Sequence, residues 1–99
     1  MARRKFVVII KEETSSDISS FLEYVKQQKF GWWHWVSNVW LLTTHNPQIK
    51  AKHIRDAAKK IAVNKVVTVL EVESVTWATY RPSGEGDIAK WIKDYWSNS

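Results

Sequence analysis

Apolar positions follow two different periods along this chain. The run KFVVIIK (5–11) is continuous, β-branched and flanked by charge, which predicts a strand. In TSSDISSFLEYVKQQKFG the spacing becomes helical. Ile18, Phe21, Leu22 and Val25 share one stripe, Ser15 or Ser16 supplies a cap, Asp17 suits the first turn and Gly31 marks the stop. WWHWVSNVWLLTT returns to strand character in two runs around Ser37 and Asn38. A two-residue turn with Asn at a positive-φ position predicts a hairpin. HNPQIKAKHIRDAAKKIAVN reads as a second helix, with Asn46 as cap, Pro47 at the first helical position, and Ala51, Ile54, Ala57, Ala58 and Ile61 as its stripe. Asn64 can close it in the left-handed conformation. KVVTVLEVES (65–74) is a further strand, and VTWATY (75–80) extends it or forms a short fifth one. After the loop RPSGEG, Asp87 caps a last helix whose Ile88, Trp91, Ile92, Tyr95 and Trp96 fall on one face.

The order is βαββαβ plus a C-terminal helix, an α+β pattern of the ferredoxin-like kind, and residues 1–99 form a single such domain without repeat, linker or low-complexity tract. Two helices then cover one face of an antiparallel sheet, and the other face should be polar in a monomer. Here it is not. Phe6, Val8 and Ile10 alternate with Val7 and Ile9, so strand one is apolar on both faces. Either the last helix or a second copy must cover the second face, and a homodimer through the sheet is expected.

A turn at Ser37 and Asn38 places Trp35 opposite Trp40 and Trp33 opposite Leu42. Trp33, Trp35, Trp40 and Leu42 then share one face, with no polar member, and are expected under the helices. Trp32, His34, Val36, Val39, Leu41 and Thr43 share the other, where a ligand could meet Trp32 and His34. KFGWWHWV superficially echoes the signature of RNA-recognition motifs. It falls on the second strand instead of the third, however, and strand one lacks the stacking aromatic that such a motif needs.

Charge changes the picture more than composition does. The net charge of +5 suits an anionic partner such as nucleic acid or a nucleotide. No cysteine is present, so disulfides and thiolate metal sites are excluded. The apolar run Phe6 to Ile10 is too short for a signal sequence or a membrane span, and a cytoplasmic protein without membrane partner is expected. There is no nucleophile triad, phosphate-cradling glycine loop or zinc spacing among His34, His45 and His53, so neither cofactor nor metal is expected. Glu12 and Glu13 after strand one, with Glu71 and Glu73 on strand four, make a magnesium site conceivable, set against simple pairing with Lys11 and Lys65. Lys52, Arg55 and Lys59 lie on one face of the second helix, as phosphate contacts or as a solvated face. Trp77, Tyr80 and Arg81 beside a flexible loop suit a nucleobase plus phosphate, or else tuck against the last helix.

Taken together, WWHWVSNVWLLTT, a helix containing IRD, a strand ending in LEVES, TWATY and a Trp-bearing final helix resemble the SinR-like small proteins related to the CRISPR adaptation endonuclease subunit. The resemblance implies a ferredoxin-like fold dimerising through its sheet and binding double-stranded DNA. Some relatives are metal-dependent nucleases using an Asp just after strand one. This chain reads IIKEET there, with no Asp before Asp17, so no catalytic residue is carried over. The expectation is a non-enzymatic homodimer that binds an anionic, base-containing ligand, either nucleic acid or a nucleotide-type signal of the sort that phage proteins sequester. Trp32, His34, Trp77, Tyr80 and Arg81 would meet the base, and Lys52, Arg55 and Lys59 the phosphates. The alternatives are a magnesium-dependent nuclease using Glu12 with Glu71 or Glu73, and a purely structural dimer.

Overall fold

A computed structural model describes residues 3–73, 78–79 and 88–97. The elements run β1 (Arg4–Ile10), α1 (Ser15–Gln27), β2 (Gly31–Val36), β3 (Val39–Thr44), α2 (Ala51–Ile61), β4 (Val67–Val72) and α3 (Ile88–Trp91), which continues in wider π-helical winding over Ile92–Ser97. The strands form one antiparallel sheet in the order β2-β3-β1-β4. This is the expected α+β, ferredoxin-like arrangement with an added C-terminal element. The possible fifth strand, VTWATY, and the Asp87 cap lie outside the described residues.

The periodicity of the sequence explains the core. Phe6, Val8 and Ile10 of β1 and Trp40 and Leu42 of β3 meet Phe21 and Val25 of α1 and Ile54 and Ala58 of α2, all fully buried. Burying a large apolar side chain contributes roughly 1.5–3 kcal/mol, so this layer between sheet and helices dominates stability. Phe21 meets Trp40 edge-on at 4.9 Å.

Helix boundaries differ from expectation by a few residues, each for a visible reason. Thr14, not Ser15 or Ser16, caps α1: its hydroxyl accepts from Asp17 N–H (3.1 Å), and the Asp17 carboxylate accepts from Thr14 N–H (3.0 Å). Lys29, in the left-handed region at φ 59°, turns the chain after α1, and Gly31 instead opens β2. Asn46 and Pro47 do not start α2. The Asn46 Oδ1 accepts from Gln48 N–H in a local turn, and the Arg4 guanidinium takes the carbonyls of Pro47 and Ile49. The helix begins at Ala51 and is followed by Asn64 at φ 64°, the left-handed residue expected there.

The hairpin is where the predicted register fails. Ser37 and Asn38 do form the turn, with Asn38 at φ 70° and Val36 opposite Val39. Beyond it, however, Trp33 pairs with Leu41 and Trp32 with Leu42. Three steps of β2 therefore match two of β3, and the extra residue is a bulge between Trp33 and Val36. A one-residue slip exchanges faces. Trp32 now packs against the core beneath the helices, while Trp33 joins Leu41, Val7 and Leu70 on the opposite face. The side chain of Trp35 lies outside the described residues.

That outer face is partly covered. An added Cβ on Gly31 would meet both Thr43, an outer-face residue, and the Tyr95 ring, so the C-terminal helix lies over this corner. Trp33, Ile92 and Trp96 are buried without belonging to the main core. The Trp33 Nε1–H has no acceptor among the described residues, at a cost of about 1–3 kcal/mol. Towards the other side of the sheet, Ile9 (39% exposed), Val36 and Leu70 (50%) remain open. No helix among the described residues is long and apolar enough to cross a membrane.

Candidate functional site

The turn out of α1 builds a site at the start of β2. With Lys29 left-handed, Phe30 points inward and its N–H donates to the Val25 carbonyl (3.2 Å). Gly31 follows, and only glycine fits: a Cβ would stand 2.4 Å from Thr43 Oγ1. Around it open two adjoining recesses of about 270 and 290 Å³ that share Phe30, Gly31 and Tyr95. Arg3, Lys29 and His45 complete the wall of the first, and Trp32 and Trp91 that of the second. One lobe is therefore aromatic and the other basic.

Arg3 is held firmly there. Its Nη1 donates to the carbonyls of Asp94 (3.1 Å) and Tyr95 (2.7 Å), its Nε donates to His45 Nε2 (3.2 Å), and its guanidinium lies 5.7 Å from the Tyr95 ring centre. An accepting Nε2 puts the His45 proton on Nδ1, an assignment from the hydrogen-bond network. The rings of Trp91 and Tyr95, one helical turn apart, lie 5.8 Å from each other and are tilted by 31°.

A second polar cluster lies at the opposite end of the hairpin. The Glu13 carboxylate, 2% exposed, accepts from Asn38 N–H (2.7 Å) and Trp40 Nε1–H (3.0 Å) and pairs with His34 Nε2 (2.9 Å). His34 Nδ1 meets the Val39 carbonyl at 2.7 Å, and its ring lies flat on Trp40. Asn38 returns the contact: its Oδ1 accepts from Glu13 N–H, and its carbonyl from Ile10 N–H. This latch ties the β1–α1 loop to the hairpin turn.

Of the residues expected to meet a base, Trp32 lines the aromatic lobe. His34 does not: both its nitrogens are engaged and one ring face is covered. It belongs instead to the latch between the β1–α1 loop and the hairpin. Trp77, Tyr80 and Arg81 lie outside the described residues. Lys52, Arg55 and Lys59 are exposed on α2, which packs beside β4 at the sheet edge farthest from β2. Lys52 and Arg55 border a shallow recess with Val69. Arg55 also pairs with Asp56 (2.9 Å) and, by this hydrogen bond above all, holds that carboxyl below its ordinary range. These cations and the recess at Gly31 are not brought together.

The carboxylates do not converge either. Glu71 stands beside Phe6 and is bound by both arms of Arg4 (2.8 and 2.9 Å), which lowers its pKa. Glu12 lies in the turn that follows Ile10, at the other end of β1 from the Phe6–Glu71 pair. Glu73 is exposed beyond β4. Among the described residues no group of three or more His, Asp or Glu side chains could hold a metal ion.

Sequence reasoning missed Arg3, Lys29, His45, Trp91 and Tyr95 as a group. Trp91 and Tyr95 carried a usable signal, since their i, i+4 spacing next to basic residues is as compatible with an exposed aromatic shelf as with a core stripe. No family model, curated protein or solved structure matches the chain.

Proposed function

We propose that this chain is a cytoplasmic, homodimeric, non-enzymatic binding protein for an anionic, base-containing ligand. The observation that carries the reading is the two-lobed recess, in which an aromatic wall (Trp32, Trp91, Tyr95) adjoins a basic one (Arg3, Lys29, His45). Aromatic faces hold bases whatever their identity, and arginine beside them suits phosphate. The net charge of +5 raises the encounter rate with such a ligand. Dimerisation is supported by the open apolar side chains of Ile9, Val36 and Leu70 on the outer sheet face, which a second copy of that face would cover. The ferredoxin-like strand order is also what kinship with the SinR-like proteins requires, and that kinship forms part of the proposal.

The test is to incubate the protein with nucleotides and with single- and double-stranded nucleic acid, with and without magnesium, and analyse what is retained. Stoichiometric recovery of intact ligand, lost in Trp91→Ala, supports the reading. Magnesium-dependent turnover points to the nuclease, and no retention at physiological salt leaves a structural dimer.

A further inference from the structure

We infer that the recess takes one free nucleotide, its base on the Trp32, Trp91 and Tyr95 side and its phosphate at Arg3, Lys29 and His45, and not a stretch of polynucleotide. The inference rests on reading the recess as a base-and-phosphate site and decides which form of that ligand fits.

Three observations favour the single nucleotide. The first is size: lobes of about 270 and 290 Å³ with a common floor lie at the small end of small-molecule sites, which run from roughly 300 to 1,000 Å³. One lobe has room for a ring system and the other for an anionic group. The second is the fixed arginine. Two carbonyls, an imidazole and the Tyr95 ring hold Arg3 in place, while its Nη2 makes no hydrogen bond among the described residues. A guanidinium so ordered offers the two N–H groups of one nitrogen, Nη2, at little entropic cost, which suits a discrete phosphate oxygen. His45 adds its Nδ1–H, and Lys29 an ammonium without an ion pair among the described residues. The third is the charge layout. A polynucleotide needs cations along a track several nucleotides long. The other basic set considered above, Lys52, Arg55 and Lys59, lies on α2 by β4, across the sheet from β2, so it does not prolong the basic lobe.

The test is calorimetric titration of the full-length protein with AMP, adenosine, inorganic phosphate and a ten-residue oligodeoxyadenylate at two salt concentrations. The inference expects AMP to bind one per chain, at least about tenfold tighter than adenosine or phosphate, and the oligonucleotide to gain little over AMP per chain. Arg3→Gln and Lys29→Asn should each bring AMP down towards the affinity of adenosine. Asn tolerates the left-handed backbone of residue 29, so that variant keeps the fold if Arg3→Gln loosens the C-terminal helix. Lys52→Gln and Lys59→Gln should leave AMP binding unchanged. If the oligonucleotide binds tenfold or more tighter than AMP, with a salt slope of about −0.7 per phosphate over several phosphates, the inference fails while the base-and-phosphate reading survives. If none of the four probes binds, both fail.

Discussion

The imidazole of His34 lies flat on the indole of Trp40, with ring centres 3.9 Å apart and planes inclined by 2°. The two residues sit on adjacent strands, and both reach the same carboxylate, that of Glu13. Residue 13 belongs to neither strand. A loop side chain therefore organises the bulged half of the hairpin, and the strand irregularity lies where its ligands are.

Replacing Glu13 should accordingly cost more than its loop position suggests. In Glu13→Gln the amide NH₂ must replace one carboxylate oxygen and so face Trp40 Nε1–H or else Asn38 N–H, and whichever it faces loses its acceptor. Expected destabilisation is roughly 1–3 kcal/mol, from one unsatisfied buried donor. Urea denaturation measures it. A loss below about 0.5 kcal/mol, the level of an ordinary surface substitution, would show that the latch does not stabilise the hairpin.

Acid should weaken the fold through Asp17. Its carboxyl is held below the ordinary range first by the hydrogen bond from Lys65 (2.7 Å) and then by the N–H of Thr14. The folded-state pKa is thus below the unfolded one. The sign follows: the contribution is complete above the unfolded value, near 4, and is lost as pH falls through the folded value. Glu71 with Arg4 acts in the same direction, though both side chains are partly exposed and the effect is screened. The part of the stability that these two carboxylates supply should be complete at neutrality and decline below about pH 4. In Lys65→Gln the Asp17 carboxyl, followed by NMR titration, should move up; an unmoved titration would contradict this account.

The fold was legible because its determinants are local or periodic. Phe6, Val8 and Ile10 alternate with outward residues, and Ile54 and Ala58 recur at helical spacing, so the buried layer could be read directly. The Asn38 turn could be read because asparagine tolerates positive φ. What could not be read depends on contacts between residues distant in the chain. The bulge that exchanges Trp32 and Trp33 coincides with Glu13 reaching His34 across the hairpin, and nothing in GWWHWV alone announces it. The α2 start moved because Arg4 claims carbonyls in the Pro47–Ile49 turn. The recess joins Arg3, Gly31 and Tyr95, each ordinary in its own segment.

Gly31 gives a test of how tightly that recess is built. In Gly31→Ala the new methyl would stand 2.4 Å from Thr43 Oγ1, on a β-branched side chain with little rotamer freedom. Overpacking of this kind costs about 1–3 kcal/mol. Thr43→Ala removes the opposing atom, so the double variant should recover most of the loss despite its own small hole. A double-mutant cycle by thermal denaturation reads the coupling. Simple additivity would mean that Tyr95, 3.6 Å from the same methyl position, or the backbone gives way instead.

The open outer face makes the last prediction. Ile9 and Leu70 lie on neighbouring strands, Ile9 opposite Thr68 and Leu70 opposite Val7, and both are substantially exposed. If a second copy covers them, sedimentation velocity should give twice the chain mass at micromolar concentration. Leu70→Glu would then bury a carboxylate against an apolar sheet and should return the protein to single mass. The same change in a monomer meets water at a half-exposed site, so the unfolding free energy of the separated chain should shift by no more than about 0.5 kcal/mol. Separation without unfolding is the signature of an interface. A wild-type chain that sediments at single mass even at hundreds of micromolar would remove the dimer from the proposal and leave the recess to be judged alone.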